Sequence, residues 1–104
     1  MRPEELLQLI RKLVADDPQR RARGADELTD WIRLYTSTDG RILTGVLAIA
    51  AACESDAIAL EAQLNAIIQL GDLADDDAVS YVRSLESESL PPGLSDYVDD
   101  ILNG

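Results

Sequence analysis

Protein chemistry starts with side chains that exchange protons, attack electrophiles or hold metals, and this chain has few that can act together. It contains no histidine, so the commonest general acid–base group and transition-metal ligand is missing. Its single cysteine, Cys53, has no imidazole to activate it and no second thiol to pair with. Cys53 closes an apolar run and reads as a buried structural thiol rather than a reactive one. The six glycines are scattered and the only lysine is Lys12, so there is no glycine-rich phosphate loop. No spacing suggests a Ser–Lys or paired-carboxylate site. The expectation is a protein that is not an enzyme and holds no metal or cofactor.

The acidic run Asp72, Asp75, Asp76 and Asp77 is the one cluster dense enough to suggest a cation. It lacks the alternating Asp/Asn spacing, the central Gly and the closing bidentate Glu of a calcium loop. Capping and dipole complementarity at a helix start account for part of it, at about 0.3–1 kcal/mol per carboxylate at best. Three consecutive acids exceed what a helix start needs, and the excess points to a cationic partner. Arg20, Arg21 and Arg23 pose the converse problem, since they are cations in the first turns of a helix whose dipole disfavours them. Two arrangements resolve it: local pairing of Arg23 with Glu27 or Asp26, or reach to acids on a neighbouring repeat. Three arginines on so acidic a chain make no nucleic-acid footprint.

The charge is unevenly placed. Twenty acids against nine bases leave −11. Residues 1–41 hold eight of each, whereas residues 42–104 hold twelve acids and the single base Arg83. Such a field repels nucleic acid and anionic membrane and attracts cationic protein surfaces, although acidity also serves solubility alone. The candidate partner-binding face is drawn from this half: Asp72, Asp75, Asp76 and Asp77, then Glu86 and Glu88, then Asp96 and Asp100. Tyr81 and Tyr97 lie at the edges of apolar stripes and are flanked by acids. Each is either a packed core residue or an aromatic anchor of that face, of the kind that interface hot spots favour.

The elements that position these residues are helices. A chain of 104 residues has room for one core, and with no Phe that core is aliphatic. Apolar residues recur at helical spacing almost throughout, and no strand pattern appears. Pro3 suits the first position of a helix with Glu4 and Glu5 in its first turn, and Leu6, Ile10, Leu13 and Val14 form its stripe, widened by Leu7 and Leu9. Asp17-Pro18 opens a second helix that runs to about Tyr35, with Ala22, Ala25, Leu28, Ile32 and Tyr35 inward and Trp31 beside them in the core. Thr36 to Gly40 is a turn and cap cluster. The third helix, roughly 40–53, is apolar nearly all round and reads as the centre of the domain. A fourth spans about 56–70, capped by Glu54-Ser55-Asp56, with Ala57, Leu60, Leu64, Ile67 and Ile68 inward and Gly71 after its end. A fifth spans about 76–86, and Pro91-Pro92-Gly93 separates it from a short sixth at about 94–102. The spacing thus predicts one all-α domain over 1–104, about six short helices in antiparallel pairs. The most apolar stretch, Ile42 to Cys53, is far short of the ~20 residues that cross a bilayer. The start Met1-Arg2-Pro3-Glu4-Glu5 does not read as a signal peptide, and a cytoplasmic location is expected.

A shift of 39 residues sets Asp17 on Asp56, Leu28 on Ile67 and Trp31 on Leu70, close to the ~40-residue period of HEAT and armadillo repeats. Asp17-Pro18, followed by Ala22-Arg23 and then Ala25 and Leu28, resembles the second helix of a HEAT repeat. That helix begins with an Asp-Pro pair and continues with a Val-Arg pair and an Ala/Leu stripe; here Ala22 stands for the Val. The copy around Ser55-Asp56 to Leu70 keeps the Asp and the stripe but lacks the Pro and the Arg. The resemblance implies a right-handed stack of helix pairs whose curved surface binds protein. A small acidic chain of this kind is also similar to the bacterial immunity proteins of contact-dependent inhibition systems, which neutralise a cognate toxin. What that likeness implies is a monomeric inhibitor whose acidic face covers the basic active site of a toxin, such as a nuclease. The alternative is a HEAT-like adaptor or subunit of a larger assembly.

Overall fold

The computed structural model describes residues 1–73 and 93–103, and among these every regular element is a helix. The helices are α1 (Pro3–Leu13), α2 (Pro18–Thr29), α3 (Ser37–Cys53), α4 (Ala57–Leu70) and α5 (Ser95–Asn103), with 3-10 turns at Ile32–Leu34 and Gly71–Leu73. The fifth helix expected at 76–86 and the Pro91-Pro92 break lie outside the described residues.

Local chemistry sets the ends. Asp17 accepts from the Gln19 N–H and Asp56 from the Ala59 N–H, so the two residues that superpose in the 39-residue shift both cap helices. Thr36 and Asp39 form a reciprocal capping box, each side chain accepting from the other's backbone N–H at 3.1 Å. This box starts α3 at Ser37 rather than Gly40, inside what reads in the sequence as a turn. The second helix stops at Thr29, short of Tyr35, and the Tyr35 hydroxyl donates at 2.6 Å to the Leu28 carbonyl, which also accepts from the Trp31 N–H at 3.3 Å. A 3-10 turn at Ile32–Leu34 then leads to the α3 cap.

The helices form two hairpins side by side. The Met1 ammonium reaches Asp39 at 3.0 Å, and Val14 and Ala15 line one groove with Cys53, so α1 and α3 run parallel. Arg21 reaches Glu54, which joins the starts of α2 and α4, and these two helices make the most extensive pairing among the described elements. Gly24 allows α2 to press on α1, because a Cβ there would lie 2.8 Å from Lys12 Cβ. The core runs through Leu9, Leu13, Leu28, Leu43, Leu47, Leu64, Ile67 and Leu70 and on to Leu94 and Val98 beside α5.

Several expectations change. The centre is α4, which packs against α2, α3 and α5, rather than α3. On α3, Ile42 and Ile49 are exposed, and Cys53 is exposed rather than buried. An all-apolar helix is enclosed only where neighbours reach it, and nothing among the described residues covers the outer side of α3. Trp31 is 45 % exposed instead of packed in the core. Because α2 ends at Thr29, Trp31 leaves the helical register and lies in a shallow cleft with Met1, Glu5, Gln8 and Lys12. Val14 and Ala57 are also exposed, while Gln63, polar and absent from the expected stripe, is fully buried.

Candidate functional site

The acidic candidate face is built on α5. Leu94 and Val98 turn into the core, with Ile101 and Leu102 packed against it, so helical spacing leaves Asp96, Asp99 and Asp100 exposed. Asp96 and Asp100 lie one turn apart on the same side of α5. Tyr97 is half-buried beside them, and its hydroxyl lies 3.4 Å from Glu61 Oε1 on α4. The Glu61 charge, then burial, then that hydrogen bond raise the Tyr97 pKa above its ordinary value. Glu61 and Asp99 join this face without having been singled out in the sequence; Glu61 shows as the acid on the polar side of the α4 stripe. Across α4, the Gly71–Leu73 turn and α5 there are five acids and no Lys or Arg. Asp72 lies in that turn. The remaining members, Asp75, Asp76, Asp77, Tyr81, Glu86 and Glu88, lie outside the described residues.

A second polar assembly sits between the hairpins. Arg21 Nε and Nη2 donate to Glu54 Oε1 and Oε2 at 2.7 and 2.8 Å, and Arg21 Nη1 donates to the Ala15 and Asp16 carbonyls. Gln63 Nε2 donates to the same carboxylate at 2.7 Å, while Gln63 Oε1 is buried with no hydrogen-bond partner. Burial pushes the Glu54 carboxyl up, but hydrogen bonds from Arg21, the Asp56 N–H and Gln63, with the Arg21 charge, hold it below its ordinary value. The Arg21 problem is thus resolved by an acid on the neighbouring hairpin. Arg23 does not take Glu27, whose carboxylate receives Lys12 at 2.7 Å. The Arg21–Glu54 pairing spans 33 residues, and local spacing carries no signal for it.

The third feature is an apolar groove of about 570 Å³ where α1 and α3 part. Ile10, Leu13 and Val14 form one wall and Val46, Ile49 and Ala50 the other, with Cys53 at the rim and Arg21 and Glu54 at one end. Its lining suits an aliphatic group. The guanidinium already has four acceptor contacts, so the charged end is structural. Among the described residues no three His, Cys, Asp or Glu side chains are grouped to hold a metal ion, and no helix is long and apolar enough to cross a membrane.

Comparison with protein-family models, with curated proteins and with solved structures returns no match.

Proposed function

We propose that this chain is a protein-binding inhibitor of the immunity type, acting in the cytoplasm, that covers a basic surface of a toxin with the acidic face built on α5. The observation that carries the reading is the absence of any base from α4, the Gly71–Leu73 turn and α5, beside the exposed pair Asp96 and Asp100. Those acids lie beside Tyr97, a partly buried aromatic of the type that anchors interfaces. Negative charge speeds encounter with a cationic partner, while a few desolvated contacts set how long the complex lasts. Two hairpins with α1 beside α3 and α2 beside α4 are also the arrangement a HEAT-like stack would need. Co-purification with the product of the gene immediately upstream is the test. Retention by the wild-type chain, lost on Asp96→Lys with Asp100→Lys, supports the reading; equal retention of both proteins refutes this face.

The second reading, a HEAT-like adaptor or assembly subunit, needs two binding surfaces. The α1–α3 groove favours it, because it offers an apolar surface separate from the acidic one.

A further inference from the structure

Four large aliphatic side chains stand out on one side of the molecule. Leu7 and Val14 on α1 and Ile42 and Ile49 on α3 are 42–59 % exposed and flank the groove. Between Ile42 and Ile49, on the same side of α3, sits Gly45. A glycine inside a helix is destabilising, because it gains backbone freedom on unfolding and contributes no side-chain contacts. A close neighbour explains Gly24, but nothing among the described residues explains Gly45: a Cβ added there meets none of their atoms within 4 Å. A missing side chain on an exposed apolar helix face is what the close approach of another helix requires.

We propose that this face pairs with a second copy of the same chain, α3 against α3, antiparallel and crossing at Gly45. The face is self-complementary, as a two-fold interface must be. With the axis at Gly45, Ile42 of one copy falls within one residue of Ile49 of the other, at the groove that Ile49 lines. Ile42 of each copy thus meets an apolar recess on the other, and the two glycines let the backbones close. Charge selects this face for self-pairing. The chain carries −11, yet α3 has only Asp39 and Arg41, both in its first turns, so an antiparallel pair sets neither against its own copy. Two copies approaching through α5 would instead set Asp96, Asp99 and Asp100 against like charges. Antiparallel helices also oppose their dipoles favourably. At 1.5 Å rise and ~10 Å diameter per helix, α3 and the shorter α1 offer adjacent strips roughly 25 and 16 Å long. That is about 400 Å² per copy in projection, and because accessible surface over corrugated side chains exceeds projection, the pair falls toward the lower end of the ~1,200–2,000 Å² total of specific interfaces. Because α5 packs on α4, the pairing leaves the acidic face open.

Sedimentation velocity of the full chain, from micromolar to sub-millimolar concentration, reads the result. A species of twice the 11.3 kDa chain mass is expected. Gly45→Arg adds a side chain whose Cβ meets none of the described residues, so it should leave helical circular dichroism unchanged and give monomer across the range. Ile49→Asp should weaken association at least tenfold. In a Cys53→Ser background, Gly45→Cys should form a disulfide-linked dimer on mild oxidation, since the two positions meet at the axis. The wild-type Cys53 should not, being two helical turns from the axis on each chain. A monomeric wild type at every concentration overturns the proposal. A dimer that survives both Gly45→Arg and Ile49→Asp, or one captured by Cys53 and not by Gly45→Cys, also overturns it.

Discussion

Replacing Glu54 with alanine should cost about 3 kcal/mol of folding free energy, at the lower end of the ~3–5 kcal/mol lost when one partner of a buried ion pair is removed. The Glu54 side chain is 1 % exposed and Arg21 is 20 % exposed. The carboxylate accepts from Arg21 twice, from Gln63, and from the Ser55 and Asp56 N–H groups at 3.1 and 3.2 Å. The lower end applies because Arg21 keeps the Ala15 and Asp16 carbonyls and part of its surface meets water. Gln63 is the harder loss: it is fully buried, its Oε1 has no partner, and its Nε2 would lose Glu54. For a domain of this size ~1 kcal/mol moves the melting temperature by ~4–8 °C, so a fall of roughly 12–24 °C is expected. Thermal and urea unfolding followed by circular dichroism measure it. Glu54→Gln keeps one carbonyl acceptor and should lose about half as much. A loss within ~0.5 kcal/mol for Glu54→Ala, the range of ordinary surface substitutions, would refute the role given to this cluster. The pH dependence has a definite sign. A carboxylate held below its ordinary value of 4.5 stabilises the fold fully above that pH and loses the contribution as pH falls through its lower folded value. Glu54→Gln should therefore flatten part of the acid limb below pH 4.5.

The two interior glycines should respond oppositely. Gly24→Ala drives a Cβ to 2.8 Å from Lys12 Cβ and 3.1 Å from the Lys12 carbonyl carbon, and should destabilise by about 1–3 kcal/mol. Gly45→Ala, measured at low concentration on the single chain, should stabilise by up to ~1 kcal/mol, since its Cβ meets open space. Burial, then the charges of Glu27, Asp30 and Asp39, push the Tyr35 hydroxyl up to about 12, so its contribution is complete below 10.0 and fades as pH rises toward 12. Tyr35→Phe should remove a step near pH 12 from an ultraviolet tyrosinate titration and cost about 1 kcal/mol through the bond to Leu28. Thr36→Ala removes the acceptor for the Asp39 N–H and should lower stability by about 1 kcal/mol in chemical denaturation.

What the sequence made legible was local. Asp17 and Asp56 act as caps because capping needs only a short polar side chain and the N–H groups two or three residues on. The stripes Ala25–Leu28 and Leu60–Leu64–Ile67 are buried because one face of a helix must be. Periodicity cannot tell which apolar faces find a neighbour: α3 and α4 are both apolar nearly all round, yet the outer isoleucines and Cys53 of α3 meet solvent while α4 takes the centre. Trp31 was misplaced because a hydrogen bond from Tyr35 to Leu28 lies at the end of α2, where hydrophobic spacing continues but the helix does not. Glu54 reads in the sequence only as part of a helix cap, and Gln63 is absent from the expected stripe, because their joint role depends on Arg21, which only the packing of one hairpin on the other brings near. At the acidic face, Asp96, Tyr97 and Asp100 were readable from helical spacing, whereas Glu61 reaches Tyr97 only through the packing of α5 on α4.

The central claim is that the acidic face on α5 binds a cationic protein. Isothermal titration calorimetry of the upstream gene product into the wild-type chain, over a series of salt concentrations, tests it most directly. Saturable binding is expected, with affinity that falls steadily as salt rises, and with both the affinity and its salt dependence reduced by Asp96→Lys with Asp100→Lys. Absence of binding, or binding that neither salt nor charge reversal changes, would contradict it.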